Sequence, residues 1–143
     1  QSCGSFGLCY AICPKPDGLP IGYIKVSGEE SHDLGYALRK EFWHRGIATE
    51  AGKAVTKRLA DLGIPYITPK MISFSIRFIK NPRSGEVMKK LGMTYRYTYE
   101  EQWQPKNIPV LFRLYQLNFD GQSERVFRTY WDRSSVRFVE KEV

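Results

Sequence analysis

The chain has 143 residues, 42% hydrophobic and 26% charged, which describes one globular unit and excludes a disordered chain or a fibre. No apolar run approaches the ~20 residues that span a bilayer, and the first residues lack a basic-then-apolar signal pattern. A soluble, cytoplasmic protein with no membrane partner is therefore expected. The net charge of +7 suits nucleic acid, an acidic surface or an anionic small molecule; with no run of five basic residues and no nucleic-acid module signature, the small molecule is favoured.

Residues 8–13 read as a strand, residues 14–20 as a hairpin turn around Asp17-Gly18, and residues 21–26 as the returning strand. Cys3, Cys9 and Cys13 lie in or before this hairpin. Being odd in number with no histidine nearby, they point to reduced thiols and to neither a disulfide framework nor a metal site. A polar turn over 27–31 leads to a third strand over 32–38. The period then changes: Ala48, Ala51, Val55, Leu59 and Leu62 recur at helical spacing, with Gly63 as a left-handed cap and Pro65 as a stop. A strand lies within 66–80, its start left open by Pro69. Asn81 as N-cap, Pro82 at the first helical position, Lys89 and Lys90 in the last turn and Gly92 as cap mark a second helix. Strands over 93–99 and 108–119 follow, and residues 120–143 show no clear period. An antiparallel meander with helices inserted between strands indicates an α+β (mixed α/β) fold, a mixed sheet packed by helices.

The turn Trp43-His44-Arg45-Gly46-Ile47-Ala48-Thr49 joins a strand to a helix N-terminus. Unpaired N–H groups and the helix dipole there attract anions, Gly46 permits close backbone approach, and Arg45 adds a positive charge. A glycine before a helix also serves as a plain turn. The wider segment Leu34-Gly35-Tyr36-Ala37-Leu38, then Glu41-Phe42-Trp43-His44-Arg45-Gly46-Ile47-Ala48-Thr49-Glu50-Ala51, resembles the acetyl-CoA-binding segment of the GNAT N-acetyltransferases. Trp43 stands at the first position of that family's Q/R-x-x-G-x-G/A motif, a departure shared with the branch of ribosomal-protein N-terminal acetyltransferases. A second match, Asn81-Pro82-Arg83-Ser84 and then Val87-Met88-Lys89-Lys90-Leu91-Gly92-Met93, is similar to that branch's N-x-x-S...K-L-G-F segment.

The resemblance implies a three-layer fold in which two parallel strands splay and acetyl-CoA lies between them. Leu38 and Arg39 would touch its pantetheine arm, backbone amides of His44, Arg45, Gly46, Ile47, Ala48 and Thr49 would hold the pyrophosphate, and Asn81 would line the channel. Ser84 would both contact the cofactor and protonate the departing thiolate. Other branches place a tyrosine acid where this chain has Met88. Glu101 or Glu100 would be the general base, although both also suit a solvated loop, and His44 is a less suitable titratable candidate. Phe42 and Trp43 are expected as core anchors. The implied activity is direct transfer of an acetyl group to a primary amine, either a protein N-terminus or a small amine, without metal.

Family members begin with a strand and two helices that this chain lacks before its hairpin. The expectation is one domain over 1–143, with 120–143 as an extension of unknown role, that is either a fragment or completed by another chain as a homodimer. The alternative is a catalytically weak CoA-binding or regulatory domain. A third reading, base stacking on Tyr95, Tyr97 and Tyr99 by a nucleic-acid module, rests on charge and aromatics alone, so nucleic acid is not the expected partner.

Overall fold

A computed structural model describes residues 7–16, 18–75, 82–103 and 107–141. Strands β1 (Gly7–Ile12), β2 (Gly22–Ser27) and β3 (Leu34–Leu38) form an antiparallel sheet in chain order. Alternation puts Ile24, Val26 and Leu34 on one buried face, with Leu8, Tyr10 and Tyr36 beside them. A 3-10 turn (Lys40–Phe42) leads into α1 (Ile47–Asp61), which lays Val55 and Leu59 on this face. Burying each of these side chains contributes roughly 2 kcal/mol. The helix stops as the sequence requires. Gly63 takes φ +82°, its N–H donates to the Ala60 carbonyl, and the Ile64 N–H donates to that of Leu59.

The second sheet holds β4 (Tyr66–Ile67), β5 (Lys70–Ser75), β6 (Thr94–Trp103), β7 (Ile108–Asn118) and β8 (Arg137–Phe138). Its order is β4-β7-β6-β8, with β5 following β4 along the same side of β7. Pro69 does not break this register. It cannot donate to the ladder, yet its carbonyl accepts the Tyr115 N–H at 2.9 Å, so β4 and β5 act as one interrupted strand. Helix α2 (Pro82–Lys90) ends like α1, with Gly92 at φ +84° and the Met93 N–H donating to the Met88 carbonyl. Gly52 of α1 packs against Leu91, just past α2, and a Cβ on Gly52 would lie 2.7 Å from a Leu91 methyl.

Two clusters occupy opposite faces of the second sheet. On one face, Val55 and Leu59 of α1 and Met88 of α2 meet Tyr115 of β7. On the other, Tyr97, Tyr99, Val110, Phe112 and Leu114 meet Phe127, Tyr130 and Trp131 of the tail, where α3 (Thr129–Arg133) lies. The tail thus has defined structure that its irregular sequence pattern conceals. It then passes round the sheet edge as β8, which pairs with Thr98 and Tyr99 of β6. Beyond that turn Glu140 receives two hydrogen bonds from Arg113, at 2.6 and 2.7 Å, and one from Thr98 at 2.6 Å.

Two sequence expectations need correction here, and the disfavoured stacking reading fails beside them. A bulge in β6 between Tyr95 and Tyr97 reverses the alternation, so Tyr95 packs with Tyr115 while Tyr97 and Tyr99 face α3. Tyr99 stacks on Tyr130 at 5.0 Å, and both Tyr97 and Tyr99 are buried, so these rings form core and not a base-stacking platform. Glu100 and Glu101 lie inside β6, because pairing with β7 continues to Trp103, and so are strand and not loop residues. Trp43 is 50% exposed and anchors no core; the preceding 3-10 turn carries it outward, and its Nε1–H donates to the Leu38 carbonyl at 2.8 Å.

Candidate functional site

The two sheets meet along one short seam. Thr68 donates through its N–H to the His32 carbonyl and through its hydroxyl to the Ser31 carbonyl. The Lys70 N–H donates to Asp33 Oδ1 at 3.3 Å, and His32 Nδ1 lies 2.9 Å from the Tyr66 carbonyl. Contacts advance together along both segments, so β3 and β5 leave the seam in the same direction. Beyond it, no hydrogen-bonded pairing joins Leu34–Leu38 to Lys70–Ser75 among the described residues, and the strands fall into separate sheets. The Asp33 carbonyl accepts the Ser27 N–H and the Arg39 N–H donates to the Ile21 carbonyl. Antiparallel parity therefore turns residues 33, 35, 37 and 39 toward β2 and the backbone groups of Leu34, Tyr36 and Leu38 toward the gap.

At the far end of β3 the chain turns into α1. Gly46, at φ +74°, occupies the N-cap position, and no side chain caps the helix. Its open N–H groups and the positive dipole end therefore lie where β3 and β5 have separated. His44 also adopts a left-handed conformation, φ +66°, so the turn bends sharply at two nearby residues. Arg45 is exposed, its guanidinium carbon 5.4 Å from the centre of the Phe42 ring. Space around Gly46 is open, so the positive φ, and not crowding, is what favours glycine there.

The structure brings Leu38, His44, Arg45, Gly46, Ile47, Ala48 and Thr49 together around this turn. Arg39 is adjacent, but its N–H is committed to Ile21 and its carbonyl accepts the Phe42 N–H. The Leu38 carbonyl is likewise engaged, by Trp43. Ser84 falls in the first turn of α2, with its side chain outside the described residues; Asn81 lies outside them altogether.

Glu101 and Glu100 lie in β6 opposite Val110 and Leu111, which also pair with Ser75 and Phe74 at the far end of β5, and only the Glu101 carboxylate reaches back to Lys70. Lys70 donates to Glu101 Oε2 at 2.9 Å, and its ammonium lies 5.0 and 4.9 Å from the ring centres of Phe112 and Tyr130. Burial lowers the Lys70 pKa, but the bond and charge of Glu101 outweigh it and hold the ammonium above its ordinary range. Glu100 is tied through its backbone: its N–H donates to the Val136 carbonyl, and its own carbonyl accepts from Ser134.

Asp33 is the titratable group that the sequence did not disclose. Burial pushes its carboxyl up to about 6, against the opposing charges of Lys70 and Lys25. Tyr99, 1% exposed, has a hydroxyl with no hydrogen-bond partner among the described residues, and burial raises its pKa so that it stays protonated. The only sequence hint was an acidic residue near the start of the expected strand over 32–38, which the structure begins at Leu34. Its hydrogen-bond partner, the Lys70 N–H, is 37 positions away.

Similar architectures occur among solved structures. The ribosomal-protein-S5-alanine acetyltransferase from Vibrio fischeri superposes with a TM-score of 0.67 at 18% identity, covering 80% of this chain and 63% of that protein. For an acetyltransferase of the GNAT family from Bacillus anthracis the values are 0.64, 19%, 78% and 66%. For the microcin C7 self-immunity acetyltransferase, solved with acetyl-CoA and AMP, they are 0.57, 19%, 69% and 54%. The chain thus spans less than two thirds of the length of each. No curated protein sequence matches it. The acetyltransferase (GNAT) domain model matches residues 3–94, well over half of the sequence, and the chain belongs to that family.

Proposed function

We propose that this protein binds acetyl-CoA and moves its acetyl group directly to a primary amine, a protein N-terminus or a small amine. The observation that carries this reading is an uncapped, positively polarised helix end placed at the open end of two diverging strands. The pyrophosphate would rest on the amides of residues 44–49 beside Arg45. The pantetheine arm, an extended chain with two amides, would lie along β3 and bond to gap-facing backbone groups there, among them those of Leu34 and the Leu38 N–H. That places the thioester near the seam. Asn81 would line the channel, and Ser84 or water would protonate the thiolate.

In this reading residues 1–143 are one domain, and residues 120–143 belong to it because their rings close the second core. A ribosomal protein is one source of such an amine; the Vibrio fischeri enzyme is named for an alanine of ribosomal protein S5. A second reading, CoA binding with little transfer, draws on the Lys70–Glu101 pair, which neutralises a carboxylate expected to act as base. Calorimetry with acetyl-CoA tests both. Micromolar binding supports them, and affinity weaker than about millimolar overturns them together; turnover on amines then separates the two.

A further inference from the structure

We infer that Asp33, at the root of the gap between β3 and β5, is the group that takes the proton from the acceptor amine. This rests on the transfer reading above. The carboxyl stands one residue before β3 parts from its neighbour, at the closed end of the gap. Its hydrogen bonding among the described residues is one long contact, 3.3 Å from the Lys70 N–H to Oδ1. Lone pairs therefore remain to accept a proton.

Glu101 is less suited, because the Lys70 ammonium already sits on it at 2.9 Å. The groups facing Asp33 are Lys70 from β5, Lys25 from β2, and Glu101 and Tyr99 from β6, while Tyr130 of α3 covers Lys70. His32 precedes it in sequence but turns its ring to the Tyr66 carbonyl. The lysines favour the carboxylate; burial and Glu101 oppose it; burial wins, leaving the group near 6. Such a carboxyl is mostly ionised at neutral pH yet a stronger base than an exposed aspartate.

The orphaned Tyr99 hydroxyl is a second and independent observation. It is a fully buried donor within the fields of Asp33 and Glu101, with nothing among the described residues to bond. A reacting group at the seam would give it a partner.

The step balances without a further reagent. The acceptor ammonium gives one proton to the Asp33 carboxylate, and its lone pair then forms the C–N bond to the thioester carbonyl carbon. As the C–S bond breaks, sulfur leaves with the electron pair and takes a proton from Ser84 or water, which regains one from nitrogen. Asp33 releases its proton to solvent. The products are an amide, a free thiol and one proton.

The test uses the whole chain with acetyl-CoA, and an alanine-initiated peptide and spermidine as acceptors. Asp33→Asn should lower kcat about a hundredfold or more while acetyl-CoA affinity stays within about twofold. Asp33→Glu should restore part of the rate. If Asp33→Asn does not fold, Lys70→Gln decides the matter. Removing the cation should move the acid limb of kcat/KM upward in pH, a shift that a purely structural aspartate would not produce. Unchanged kcat in Asp33→Asn, equal losses in rate and affinity, or an acid limb unmoved in Lys70→Gln each overturn the proposal for Asp33 alone. A parent chain that binds acetyl-CoA but transfers to neither acceptor overturns it too. No acetyl-CoA binding by the parent defeats instead the reading on which it rests.

Discussion

The two ends of the gap are built by different means. At the α1 end, everything that matters is local: a turn of a few residues, a glycine at φ +74°, and backbone N–H groups that any helix would present there. At the seam, side chains from β5, β6, α3 and the loop before β3 converge, and their properties come from burial. A local device tolerates exposure and is defeated by one backbone change. An assembled one depends on the whole core and responds to changes far away in sequence.

The largest expected effect breaks the local end. Gly46→Glu places a negative side chain in the turn and a Cβ residue at positive φ, so acetyl-CoA affinity should fall by at least about a hundredfold, or ~2.7 kcal/mol. Calorimetry checks this, with circular dichroism to show that the fold persists. Unaltered affinity would remove the turn from the site.

The second prediction concerns stability at the seam. Folded Asp33 holds its proton up to about 6, whereas the unfolded chain releases it near 3.8. Between those values unfolding lets the proton go, so native stability falls as pH rises through that window. The total is at most roughly 3 kcal/mol. Asp33→Asn should therefore be more stable than the parent above pH 6 by up to that amount, and equally stable at about pH 3. Urea unfolding at both pH values would show it, and an equal difference at each would contradict the raised pKa.

The smallest effect sharpens the contrast from outside. Glu140→Ala removes the partner of a partly buried Arg113 and should cost about 2 kcal/mol. It should also loosen the tail over Tyr97 and Tyr99, while acetyl-CoA affinity changes little. Thermal unfolding with parallel calorimetry measures both, and a large loss of affinity would mean that the two ends are not separable.

Legibility in the sequence follows the same division. The meander, α1, α2 and their glycine caps were readable because each rests on neighbours within a few positions, as with Gly63 and Gly92. The Gly46 turn was readable for the same reason. Residue type alone suggests a core role for Trp43, and it does not carry the 3-10 turn that points the ring outward. The alternation of Tyr95, Tyr97 and Tyr99 concealed a bulge, and Pro69 concealed a register that β7 maintains across it. The tail was unreadable because its aromatic residues acquire meaning only from the strand they cover, and Asp33 because its hydrogen-bond partner Lys70 is 37 positions away.

The strap formed by β8 has a bearing on solubility. Strand β6 would otherwise show its outer backbone at Thr98 and Tyr99, beside a cluster of buried aromatic side chains. Such an edge invites strand addition by a neighbouring molecule, and hence aggregation. Two residues of β8 cover it, and the new edge they create is short and carries Arg137. The same segment that completes the core thus leaves the sheet with an outer margin too brief and too charged to be extended.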